Sequence, residues 1–250
     1  MNKPLKQSNQ PLFEDILWNQ PVSRAISGNL LIIGGHSEEF KLTQSIFMQA
    51  SKNCQTKVIL PDRIRRLIGP VDNGIYVAST PSGSIARNAQ EEILAAINDS
   101  DCLLLSADLS QNSETVGLIE TILHESEKPV IITEEILLSL FHNLEAISKS
   151  ALIISSPNGL SELANKLHVP IYVKTPDLQK ELKLLEALSE KLDMPLVSIS
   201  DNIVISYQDQ ISITPNKQVD LSKLIADISV FYMQHENKFK AVTTAVFQDS

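Results

Sequence analysis

No glycine follows Gly159 in this 250-residue chain, and only 8 occur in all. Backbone N–H groups that close around a phosphate need glycine, because a Cβ blocks both the dihedrals and the approach of the anion. The C-terminal part therefore cannot build a glycine-lined anion hole. Cysteine is scarce too: Cys54 and Cys102 are the only two. They form no Cys-x-x-Cys pair, which excludes a disulfide-stapled scaffold and leaves reduced, packing thiols. The five histidines, His36, His124, His142, His168 and His235, lack His-x-x-x-His spacing, so no zinc site is expected.

Positive charge is also short. The net charge is -9, which argues against a nucleic-acid or anionic-membrane surface, since either needs clustered Lys and Arg. The one basic cluster, Arg63, Arg65 and Arg66, reads as a solvated helix end after Pro61. No segment approaches the roughly 18 apolar residues of a membrane helix, and the polar first 20 residues hold no signal-peptide core. A cytoplasmic protein is expected.

What is present is ample apolar content, 43% hydrophobic residues, with no Ser/Gly/Pro linker and no internal repeat. The expectation is one α/β domain over residues 21–250, with residues 1–20 as an N-terminal extension or helix. Short apolar runs at 30–33, 57–60, 75–78, 102–105, 130–132, 152–154, 171–173 and 196–199 read as strands. Their nearly continuous hydrophobicity suits a parallel sheet covered on both faces. Helices fit between them at about 40–51, 84–98, 113–125, 135–142, 160–167 and 178–192. The pattern then changes. Ile203 to Tyr207, Gln208-Asp209-Gln210 and Ile211 to Ile213 read as an antiparallel hairpin. Apolar positions at helical spacing from Leu221 to Tyr232 follow, and a last helix runs over about 238–247.

Four segments could carry chemistry. Leu30 to Ser37 is a strand running into Gly34-Gly35, a place where a chain turns sharply and a ligand can approach the backbone, although a mere tight turn fits as well. In Leu103 to Thr115, Asn112 or Ser113 can cap the helix that follows. Pro129 to Glu135 ends a buried strand in paired carboxylates, suited to Mg²⁺, to acid/base work, or simply to a helix dipole. Ile153 to Leu163 combines a strand, the Ser156-Pro157-Asn158 loop, and Glu162 one turn into the next helix.

In this order and spacing the segments resemble the ribokinase-like superfamily, and within it the ADP- or ATP-dependent NAD(P)H-hydrate dehydratases. The resemblance runs from about Leu12 to Phe247. Pro21 to Ser37 is similar to the family's opening Arg, Gly, strand and Gly-Gly-Ser. Asp101 to Thr115 resembles its Gly-Pro-Gly-Leu-Gly loop and following helix, Pro129 to Leu137 its strand ending in Asp-Ala-Asp-Ala-Leu, and Ser156 to Glu162 its Thr-Pro-His or Thr-Pro-Asn segment with a following Glu. The resemblance implies a three-layer α/β/α fold with a mostly parallel central sheet and a C-terminal antiparallel hairpin. It also implies ADP or ATP with Mg²⁺ as cofactor and hydrated NADH or NADPH as substrate. Asp220 would be catalytic, while Gly34, Gly35, Ser37, Asp108, Glu135, Asn158 and Glu162 would line the nucleotide or substrate site.

The departures fall where chemistry would be. Ser106, Asp108 and Ser110 stand for the three glycines of the loop, and Thr133, Glu134 and Glu135 for Asp-Ala-Asp. Ile199 and Ser200 replace a Lys-Gly pair. The Gly-Thr-Gly-Asp anion hole has become Lys217-Gln218-Val219-Asp220, and Asp220 fits a helix N-cap as well as it fits the family's Asp. A carboxylate at Asp108 would oppose a phosphate by about 1–4 kcal/mol. Three readings follow: an active dehydratase; a non-catalytic homologue kept for ligand sensing or as a scaffold, including as a homo-oligomer; and a small-molecule kinase of the same superfamily.

Overall fold

The structure is a computed structural model that describes residues 3–21, 23–106, 109, 112–147, 150–173, 177–218 and 220–247. Among these, ten strands form one sheet. β1 (Leu5–Lys6), β2 (Asn29–Ile33), β3 (Gln55–Pro61), β4 (Gly74–Val77) and β5 (Cys102–Leu105) come first in sequence. β6 (Val130–Thr133), β7 (Ala151–Ser155), β8 (Leu196–Ile199), β9 (Asn202–Tyr207) and β10 (Gln210–Pro215) complete it. The spatial order is β1-β10-β9-β8-β7-β6-β5-β2-β3-β4. From β8 across to β4 every pairing is parallel, whereas β9 runs antiparallel to both β8 and β10.

The continuous apolar runs are explained by burial on both faces. Leu31, Ile33, Leu103, Leu105, Val130, Ile132 and Ile153 point into one core layer. Their neighbours Leu30, Ile32, Cys102, Leu104, Ile131 and Leu152 point into the other. The first layer is covered by α4 (Gln90–Asn98), α5 (Ser113–Glu125), α6 (Glu134–Ser139), α7 (Pro157–Lys166) and α8 (Leu178–Lys191). The second is covered by α1 (Glu14–Trp18), α2 (Lys41–Ala50), α3 (Asp62–Ile68), α9 (Leu221–Gln234) and α10 (Lys238–Ala245). A three-layer α/β/α sandwich results. Among the described residues no helix is long and apolar enough to cross a membrane.

The β9–β10 hairpin closes through Gln208 and Asp209, both at positive φ (46° and 61°), the conformation that matches the twist of the flanking strands in a two-residue loop. Two expectations are corrected. Residues 171–173 form no strand: β7 is already paired on both sides by β6 and β8. The Val173 N–H goes instead to Ser161 Oγ at 3.0 Å. The helix expected from residue 84 begins as a 3-10 turn at Arg87 and becomes α4 at Gln90. Residues 79–85 fold into a tight loop, with Gly83 at φ 98° and the Thr80 N–H donated to Ser84 O at 2.8 Å.

Candidate functional site

The strand order reverses between β2 and β5, since the chain leaves β2 toward β3 and β4 and returns to β5 on the other side. Open parallel sheets bind ligands at such a point, outside the carboxyl ends of the strands. Among the described residues the two glycines there are closely packed. Gly34 and Gly35 are buried. A Cβ on Gly34 would lie 2.6 Å from Thr43 Oγ1 and 3.0 Å from Ser106 Cβ, and Thr43 Oγ1 itself donates to Ser106 Oγ at 3.1 Å. Gly35 has φ 88° and faces Leu60 and Ile64. Ser37 lies over the face of Gly83 and donates its N–H to the Gly83 carbonyl at 3.1 Å. Asp108 lies outside the described residues.

An opening lies farther along the same edge. A crevice of about 430 Å³ lies at the ends of β6, β7 and β8. Its polar wall is Thr133, Glu134, Glu135, Ser155 and Ser156, and its apolar wall is Leu42, Leu138, Ile154, Ile199, Leu221 and Ile225. None of these residues is Lys or Arg. Glu134 serves the neighbouring helix rather than its own. Its Oε2 accepts the Ser156 N–H at 2.6 Å and the Ser155 hydroxyl at 3.1 Å, while Ser156 caps α7 by accepting the Gly159 N–H at 3.2 Å. Gly159 permits this approach, since a Cβ there would overlap Ser155 Oγ and lie 2.8 Å from Glu134 Cδ.

Asp220 stands one residue before Leu221 and is the N-cap of α9. Its Oδ1 accepts the Ser222 N–H at 2.8 Å and the Ser222 hydroxyl at 2.6 Å. Those two bonds, the hydroxyl's first, hold the carboxyl below its ordinary range. An Asp so held is a weak base. Its negative charge also takes the positive helix end that a bound phosphate would use.

The remaining expected residues sit on α7. Asn158 and Glu162 are exposed and bonded to each other, Nδ2 to Oε1 at 3.3 Å. Tyr172 donates to Asn158 Oδ1 at 3.4 Å. Of the expected residues, the crevice lining includes Glu135. Asp220 is one residue away from it in sequence, Gly34, Gly35 and Ser37 belong to the switch point and its flank, and Asn158 and Glu162 form their own surface cluster. Sequence reasoning assigned no site role to Leu42, Leu138, Leu221 or Ile225, because each reads as an ordinary position on an amphipathic helix. Glu134 carried a signal, its place beside Glu135 at a strand end.

The lining does not fit a nucleotide triphosphate with Mg²⁺. The Ser222 amide in the first turn of α9 is engaged by the chain's own carboxylate, the lining holds no cation, and among the described residues no group of three or more His, Cys, Asp and Glu is placed to hold a metal.

No family model and no curated protein sequence matches this chain. Solved structures do. A ribokinase-like superfamily protein from Enterococcus faecalis superposes with a TM-score of 0.72 at 13% identity, covering 98% of this chain and 86% of that one. The ADP/ATP-dependent NAD(P)H-hydrate dehydratase from Bacillus subtilis, co-crystallised with ATP/Mg²⁺ and soaked with CoA, has a TM-score of 0.61 at 18% identity, covering 96% and 87%. The pyridoxal kinase from Staphylococcus aureus, in complex with AMP-PCP and pyridoxal, has a TM-score of 0.57 at 10% identity, covering 88% and 76%. The fold of this chain is ribokinase-like.

Proposed function

We propose that this chain is a divergent homologue of the NAD(P)H-hydrate dehydratases that no longer grips nucleotide phosphate, and that it keeps the crevice for binding or sensing a small ligand. The observation that carries the reading is Asp220 bonded to the first turn of α9. The resemblance puts the glycine amides of an anion hole in the three residues before it, which here are Lys217, Gln218 and Val219, and the Asp220 carboxylate already sits on the helix end. A phosphate would have to displace it and would still find no Lys or Arg in the lining.

A thermal scan with ATP or ADP and Mg²⁺ tests this. A ligand at a hundred times its dissociation constant adds about 2.7 kcal/mol to stability. For a chain of this size that raises Tm by roughly 5–10 °C. The expected outcome is no shift. A rise of several degrees, specific to nucleotide over tripolyphosphate, defeats the reading and restores the active dehydratase, with Asp220 as acid/base and hydrated NADH or NADPH as substrate. Phosphorylated product in place of dehydrated nicotinamide nucleotide would assign the small-molecule kinase instead.

A further inference from the structure

The crevice at the ends of β6, β7 and β8 is unevenly matched by its own chain. Its polar side chains all have partners. Glu134 Oε2 takes the Ser156 N–H and the Ser155 hydroxyl, the Ser156 hydroxyl caps α7 at Gly159, Thr133 Oγ1 donates to the Leu105 carbonyl at 3.2 Å, and Glu135 is engaged as well. The hydrocarbon is not matched in the same way. Leu42, Leu138 and Ile199 are half-buried and Leu221 is exposed, so four large aliphatic side chains from α2, α6, β8 and α9 stay partly in water around one opening. Ile154 and Ile225 complete the apolar wall. Single exposed aliphatics are ordinary on a protein surface, whereas several gathered in one concavity mark a binding site.

Shape and charge narrow the occupant. The apolar wall is drawn from α2, α6, β7, β8 and α9 around about 430 Å³, within the range of about 300–1000 Å³ of small-molecule clefts. An anion finds no Lys or Arg in the lining and meets Glu134 and Glu135 instead. An ammonium would have to take Glu134 Oε2 from the two donors that already hold it, while giving up its own water against an aliphatic wall. An uncharged hydrocarbon gives up no such hydration, and its docking removes apolar area from water on both partners.

We propose that the crevice takes an uncharged, hydrocarbon-rich small molecule, a ring or short chain seated against Leu42, Leu138, Ile199 and Ile225 with any polar atom left at the mouth beside Leu221. The inference rests on the reading that the crevice is kept for a small ligand and no longer grips phosphate, and it names the class of that ligand. The two fail separately, because the Mg²⁺–ATP scan decides the phosphate and a titration with uncharged probes decides the hydrocarbon.

The test titrates 1-butanol, 1-pentanol and 1-hexanol into the full chain at neutral pH and follows the isoleucine methyl signals by NMR, since Ile154, Ile199 and Ile225 report from the wall itself. Saturable shifts at those methyls are expected, with affinity rising roughly threefold to fourfold for each added CH₂. Hexanoate should bind at least roughly tenfold weaker than hexanol, and hexylamine no tighter than hexanol. Leu42→Ser and Leu221→Ser should each weaken hexanol by roughly threefold to tenfold. Melting curves without ligand establish that each variant is folded, and the probe series on the unaltered chain stands without any variant. Four results overturn the proposal: no saturable shift up to about 10 mM hexanol, an affinity that does not rise along the alcohol series, hexanoate or hexylamine binding roughly tenfold tighter than hexanol, or a hexanol affinity unchanged in both variants. Methyl shifts that move with protein concentration in the absence of alcohol would show that a second copy of the chain fills the crevice, and overturn it too.

Discussion

Two places on the carboxyl edge of the sheet differ in how their described residues pack. At the β2/β5 switch point two adjacent glycines are packed under Thr43, Ser106, Leu60 and Ile64. At the ends of β6 to β8 a crevice is walled by branched aliphatic side chains and carboxylates. The contrast teaches that a glycine marks close approach by something, and that the something is here the protein itself. Where larger side chains splay apart, space is left between them.

Substitutions at the two places should differ in size. Gly35→Ala attacks the closely packed side: it forces a Cβ into φ 88° and to 3.0 Å from Leu60 Cδ2. The left-handed backbone costs about 1–2 kcal/mol and overpacking about 1–3, so a drop in Tm of roughly 5–15 °C is expected. An unchanged Tm would show that the packing there is loose. Gly159→Ala reaches the crevice from below, by pushing on Ser155 and Glu134. Overpacking of about 1–3 kcal/mol is offset by about 1 from helix propensity. A net loss of about 1 kcal/mol is expected, and denaturant unfolding of that variant checks it.

Two carboxylates of α9 sharpen the comparison by pH. Asp227 is buried, its Oδ2 has no hydrogen-bond donor, and Lys223 Nζ is 3.9 Å away. Desolvation raises its pKa, against the lowering influence of Lys223 and Lys52. A folded-state pKa above the unfolded one means that stability falls as pH rises from the ordinary carboxylate value through the raised one. Asp227→Asn should remove that slope and add of the order of 1 kcal/mol at neutral pH. Asp220 behaves oppositely. Its pKa is lowered, so its contribution is complete above the unfolded value and is lost as pH falls through the folded one. Asp220→Ala should cost about 1 kcal/mol at neutral pH and nothing in strong acid. Melting curves across the acid range separate the two signs, and parallel pH profiles for the two variants would defeat both assignments. The smallest effect is expected for Leu221→Ala at the crevice mouth, where the side chain is 45% exposed: below about 0.5 kcal/mol in denaturant unfolding.

Elements with strong local signals were legible from residues alone. α5 spans Ser113–Glu125 as the pattern predicts, because the Asn112 side chain accepts the Glu114 N–H and apolar positions recur at helical spacing. β5 and β8 coincide with their apolar runs, and the hairpin lies where alternation and a polar turn put it. The segment 171–173 misled because Ile171 and Val173 join a core layer without entering the sheet, the Val173 N–H going to Ser161 of α7, and no local pattern distinguishes the two. β1 was illegible, since two residues pairing with a strand some two hundred positions later leave no periodic trace. The candidate site was legible only in part. Glu135 stands at a strand end and was readable there, but the apolar wall assembles from α2, α6, β7, β8 and α9, and spacing along one element cannot reveal where another element stands clear.

That same β1 strand sets the order in which the chain can be finished. Leu5 and Lys6 pair with Ser212 and Ile213. The buried Gln7 side chain donates to Thr214 Oγ1 at 3.1 Å and to the Thr243 carbonyl at 2.7 Å. During synthesis the Leu5–Lys6 segment waits, unpaired, until Ser212 and Ile213 have emerged, and closing so long a loop is slow. Until it docks, β10 is a bare sheet edge, open to strands of neighbouring molecules. Residues 5–7 thus act as a latch on β10 and α10, and until the latch closes that edge is open to pairing with another strand.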